Sequence, residues 1–153
     1  MANIEIKDSK KEKLFKALKS QEFYSKLALA AIKTIKDRTR KGKDVEGKSF
    51  QPYSESYKKV RQRAGLPVSP VTLTFDDIAG MLKKIDHVVA NDFSSVAVVI
   101  DDAAKEQIAR YHSIEGAGKK KVIRRFWGIE LQSEIKKLAN FGYDVLKNIL
   151  KRL

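Results

Sequence analysis

The sequence predicts an α+β fold, and three features carry that reading. A long amphipathic helix pattern opens the chain, a β-branched hairpin pattern sits in its middle, and a second long helix pattern closes it. With 153 residues the chain suits a single domain, 1–153, able to bury a core of its own. The expected arrangement is an N-terminal helix, a central antiparallel hairpin, and a long C-terminal helix packed on the sheet.

Residues 11–39 read as helix with a break near Ser20. Phe23, Leu27, Ala31 and Ile35 recur every fourth residue and form a slowly drifting apolar stripe. Ser20 is placed to cap the second part, with Glu22 near the positive end of its dipole. The stripe fades at Arg38-Thr39-Arg40-Lys41-Gly42, and residues 40–49 are expected to form a flexible polar loop. Phe50, Tyr53 and Tyr57 follow at spacings of three and four. Ser54 can cap a short helix ending near Ala64, because Gly65 suits the position past a helix end and Pro67 forbids continuation.

Pro67 and Pro70 imply an extended connector, after which Asp76 is placed to cap a short helix running to Lys84. Ile85, His87 and Val89 alternate with other residues, a turn signal follows at 91–94, and Val96–Ile100 is rich in β-branched side chains. These segments predict a hairpin. Residues 103–113 read as helix, 116–121 as a flexible basic loop, and 122–127 as a further strand. Leu131, Ile135, Leu138, Gly142, Val145 and Ile149 then step by four, three, four, three and four, which predicts the C-terminal helix. Its apolar face suits packing within the domain or a seam to another subunit.

Composition narrows the function classes. There is no cysteine, which excludes disulfides and thiolate chemistry and fits a reducing compartment. No signal-peptide pattern and no apolar run of spanning length occur, so a cytoplasmic protein with no membrane partner is expected. The net charge of +13 is spread as +7, +1 and +5 over residues 1–50, 51–100 and 101–153, with 24 Lys to 8 Arg. Lysine is a hydrated point charge suited to diffuse attraction, whereas base reading favours placed Arg, Asn or Gln. A polyanionic neighbour is expected, without sequence-specific recognition.

Several motifs invite a chemical reading. Gly42-Lys43-Asp44-Val45-Glu46-Gly47-Lys48-Ser49 satisfies GxxxxGK[ST], in which backbone amides cradle phosphates, Lys48 would reach the terminal phosphate and Ser49 would hold Mg²⁺. A phosphate cradle joins a buried strand to a helix. Here a charged helical pattern precedes it and Pro52 follows within four residues, so a turn is the expected structure. His112 and Glu115 have an i, i+3 spacing that suits a metal, but no third ligand accompanies them and His87 lies in a strand. Asp76-Asp77 and Asp101-Asp102 precede helix patterns, where capping explains them. No catalytic residue, metal or cofactor is expected. Lys119-Lys120-Lys121 with Arg124, Arg125, Phe126 and Trp127 combines charge with aromatic faces, as binders of single strands do, so sequence-nonspecific nucleic-acid binding is an alternative.

Two segments together resemble a known family. Arg38-Thr39, Gly42, Asp44, Gly47 and Phe50-Gln51-Pro52-Tyr53-Ser54 with Tyr57 are similar to a stretch of phage virion morphogenesis and tail completion proteins. Ala109, His112 and Glu115-Gly116, then Arg125-Phe126-Trp127-Gly128, resemble a later region of the same family, before its final helix. Gly80-Met81-Leu82 and Ile85 resemble the element ahead of its central hairpin, with Ala79 where the family usually has Thr. The resemblance implies an α+β protein of the neck or tail end of a phage or prophage particle, without a catalytic step. It would form a homo-oligomeric ring and dock with tail-tube and head-connector proteins, in non-specific proximity to DNA. It would reside in the host bacterial cytoplasm during assembly and then in the virion. On that reading Gly47, Phe50, Pro52, Tyr53, Tyr57, His112, Gly116, Arg125, Phe126, Trp127 and Gly128 are structural or interface anchors. Lys119, Lys120 and Lys121 form a basic loop for acidic partner subunits, and both loops would order on assembly.

Overall fold

Two helices meet at Ser20 because one side chain serves both. In the computed structural model, which describes residues 2–73 and 80–153, the Ser20 hydroxyl donates to the Ala17 carbonyl at 2.7 Å and accepts from the Phe23 amide at 3.2 Å. Helix α1 therefore ends at Leu18 and α2 spans Gln21–Arg40. The break falls where capping chemistry puts it. Helix α1 starts at Ala2, ahead of the expected residue 11, with no Pro or Gly in that stretch to interrupt it.

Helix α3, Glu55–Arg63, is capped by Ser54, whose side chain accepts from the Tyr57 amide. It stops at Ala64 and Gly65, the latter at φ +69°, as the glycine signal indicated. Of the helix expected from Asp76 to Lys84, residues 76–79 lie outside the described ones, and Met81–Lys84 forms a 3-10 turn. Strands β1 (Ile85–Val89) and β2 (Val96–Ile100) pair antiparallel, with Ile85 opposite Ile100 and Val89 opposite Val96. Helix α4, Ala103–Arg110, runs into a π turn at Tyr111–Glu115, and α5 covers Gln132–Leu150.

The result is a mixed α+β fold with α2 at its centre. One side of α2 carries the hairpin and another carries α5, which also receives α1. The main core gathers Ile32 and Ile35 of α2, Phe50, Leu73, Met81, Leu82, Ile85, Ala109 and Phe126. A smaller cluster joins Ala17 of α1 to Val145 and Ile149 of α5. Among the described residues, no helix is long and apolar enough to cross a membrane.

The expected third strand at 122–127 does not form. Its burial does alternate, with Arg124 and Phe126 inside and Ile123 and Arg125 outside. Its backbone is shared among several partners instead of one neighbour. Val122 and Ala117 exchange two bonds, the Arg124 amide donates to the His112 carbonyl, and the Arg125 carbonyl accepts from the Val45 amide. An alternating pattern requires an extended chain but does not supply a ladder.

Candidate functional site

The segments Arg38–Tyr57 and Arg124–Gly128 are far apart in the chain and interlocked in space. Arg38, in the last turn of α2, is only 5% exposed. Its guanidinium donates to the Glu134 carboxylate at 2.5 Å and to the Phe126 and Gly128 carbonyls at 2.7 Å each. Arg124 reaches the other way and donates to the Gln51 and Pro52 carbonyls. Arg125, on the surface, pairs with Glu46 and Glu130. The planar guanidinium, with five fixed donors, suits such multiple acceptance by carbonyls.

Two guanidinium groups approach the Tyr53 ring. Arg61 stands 4.9 Å and Arg124 5.9 Å from its ring centre. The Tyr53 hydroxyl donates to the Thr72 carbonyl, and its ring meets Tyr57 edge-to-face at 5.1 Å. Arg61 is itself buried and donates to the Pro67 carbonyl at 2.8 Å. Sequence reasoning missed the burial of Arg61 and Arg124. In a charged helix pattern and a basic stretch, nothing marks one arginine as internal.

The expected anchors divide by burial. Phe50, Tyr53 and Phe126 are core residues, and Phe126 is fully buried. Pro52, Tyr57 and Arg125 are exposed, and Trp127 is half-buried with its ring 5.9 Å from Phe126. Gly47 and Gly128 both adopt positive φ, at +82° and +105°. At Gly116, φ is +84° and a Cβ would stand 2.3 Å from the Lys121 carbonyl oxygen, so only glycine fits that turn.

The 42–49 loop is a closed turn and not a phosphate cradle. The Asp44 carboxylate accepts from the Glu46 and Lys48 amides, and the Val45 amide donates to Arg125. Lys48 pairs with Glu46, and the Ser49 hydroxyl accepts from Lys43. The amides a phosphate would need are thus already committed. Helix α2 precedes the loop and α3 begins only at Glu55, so neither flanking element is the one required. The loops at 40–49 and 116–121 are both internally hydrogen-bonded turns. Lys119, Lys120 and Lys121 stand exposed at the tip of the second.

His112 and Glu115 do not converge. Both fall in the π turn, where Glu115 pairs with Arg110 at 2.7 Å and the His112 Nδ1 is buried without a partner. Among the described residues no group of three or more His, Asp or Glu could hold a metal. Asp102 caps α4 by accepting from the Lys105 amide, as expected, while Asp76 and Asp77 lie outside the described residues.

Burial, helped by the nearby Arg124 charge, lowers the His112 pKa from 6.5 to about 4. The unfolded chain therefore takes up a proton at this residue between about pH 6.5 and pH 4 while the folded chain does not. The His112 contribution to stability should be full above that window, fall as pH drops through it, and level off below it, with a loss of about 3 kcal/mol. Denaturant titrations from pH 7 to 4.5 check this, since His112→Gln should flatten the slope. An equal slope in wild type and variant would refute the assignment to His112.

Comparison of the chain with protein-family models, with curated proteins and with solved structures finds no match.

Proposed function

We propose that this chain is a structural protein of a phage or prophage virion, acting in tail completion or head–tail joining by ring-like self-association and docking. The observation that supports this most is the interlock described above. The two segments that resemble the family are bound to each other by Arg38, Arg124 and Arg125, so they form one structural unit. A scaffold of buried arginines and aromatics explains those residues without any chemical step. It leaves the surrounding surface free for partners.

Deleting the gene from its parent genome and imaging the particles tests this. Filled heads separated from finished tails would place the protein at the joint, and overlong tails would make it a length terminator. Normal infectious particles would overturn the proposal.

Nucleic-acid binding is the second reading, favoured by the exposed Lys119–Lys121 loop. The fully buried Phe126 weakens it, because that ring cannot stack on a base.

A further inference from the structure

The surface between β2 and α5 combines an open strand edge, an apolar floor and unpaired cations. A groove of about 550 Å³ runs there, floored by Phe23, Leu27 and Ala31 of α2 and walled by Val96 and Val98 on one side and by α5 on the other. The α5 wall exposes Ile135 (40%) and Tyr143 (67%), which is unusual for large apolar side chains gathered in one concavity. Past Tyr143 and Leu146 the groove meets a second hollow of about 370 Å³, bordered by Lys147 and Lys151.

The strand edge faces this groove. In the hairpin the Lys84 carbonyl accepts from the Asp101 amide, and the Ser95 carbonyl accepts from Ala90. With the register given, the bonded pairs are then Asp86 with Val99 and Val88 with Ala97. Val96 and Val98 consequently turn their amides and carbonyls away from β1. Among the described residues those groups have no hydrogen-bond partner. β1 contributes nothing to the groove lining, so the open edge of β2 is the one on the groove side.

We propose that this groove receives an extended segment of an acidic partner protein, which adds to β2 as a third strand. An added strand would satisfy the free amides and carbonyls, whereas a helix seated there would bury them unpaired. Alternate side chains of the segment would point the same way as Val96 and Val98, onto the α2 floor, and so would be apolar. Lys147 and Lys151, which make no ion pair among the described residues, call for carboxylates at one end of the segment. A second copy fits less well. It would bring the same net charge of +13 and the same lysines to a groove already bordered by Lys147 and Lys151, where carboxylates are called for. The inference deepens the docking reading and rests on it for the partner's existence, though not for its being a virion protein.

The test uses the full chain and a displayed library of random ten-residue peptides, with the selected peptides then synthesised. They are expected to alternate apolar residues, to carry Asp or Glu at one end, and to slow hydrogen exchange of the Val96 and Val98 amides at least tenfold. Ala139→Arg, which fills the groove, should abolish binding, and Lys147→Glu with Lys151→Glu should weaken it at least tenfold. N-methylation of alternate peptide amides should abolish it too. Selection of no peptide, of helical peptides, or of peptides that leave Val96 and Val98 exchange unchanged would overturn the proposal. Protection of those amides by protein concentration alone, with a dimer in sedimentation, would assign the groove to a second copy and also overturn it. Normal particles after gene deletion would sink the virion reading but leave the peptide result standing.

Discussion

Replacing Arg38 by alanine will lower the free energy of unfolding by about 3–5 kcal/mol, because it breaks a buried ion pair from one side. Glu134, whose side chain is 13% exposed, would keep its charge and lose its partner. The Phe126 and Gly128 carbonyls would lose their donors in the same step. Arg38→Lys should recover little, since an ammonium cannot reach three acceptors arranged for a fork. A double-mutant cycle with Glu134→Gln separates the contributions. The coupling should exceed 1 kcal/mol, yet the double variant should remain less stable than wild type because the two carbonyls stay unserved. Chemical denaturation measures all four proteins, and a loss under 1 kcal/mol for Arg38→Ala would show that the interlock does not hold the fold.

Phe126→Ala should cost a similar amount, about 3–5 kcal/mol, through a different mechanism. The ring is fully buried among α2, Phe50 and the hairpin, and truncation leaves a cavity that the surrounding helices cannot close. For a domain of this length that loss corresponds to a fall in melting temperature of roughly 10 °C. Phe126→Leu, which keeps most of the volume, should cost less than half as much. The edge-to-face contact with Trp127 offers a spectroscopic report, as the indole emission of the folded protein should change in the alanine variant. The experiment also distinguishes two roles for this aromatic. An exposed docking anchor would lose assembly while keeping stability, and an unchanged melting temperature would therefore contradict its place in the core.

The helix ends were legible because their chemistry is local. Ser20, Ser54, Gly65 and Asp102 each act on amides or backbone angles within a few residues, so residue type and spacing suffice. The hairpin was legible for a related reason. Alternating β-branched residues on either side of a polar turn have few other ways to bury one face. The GxxxxGK[ST] match was legible as a turn because its flanking elements were wrong for a phosphate site, and the committed amides of 44–48 bear that out.

The segment 122–127 shows where such reading stops. Its alternation demanded an extended chain, but whether that chain joins a sheet depends on what lies beside it. Here the neighbours are the π turn, the 42–50 loop and α2, each taking one or two of its polar groups. The candidate site followed the same division. Phe50, Tyr53 and Phe126 stood out as aromatics at chosen spacings, while the arginines that join them did not.

By itself the sequence determined the fold class, the caps at Ser20, Ser54 and Asp102, the stop at Gly65, the two strands of the hairpin and a turn in place of a phosphate cradle at Gly42–Ser49. Those properties arise from interactions between near neighbours or from a period along one element. Only the tertiary structure decided that Arg38, Arg61 and Arg124 are internal, that the two resembling segments form one unit, and that β2 presents an open edge to an apolar groove. A guanidinium is stable inside only when distant carbonyls and a carboxylate converge on it, and that convergence is a property of the packed chain, not of any stretch within it.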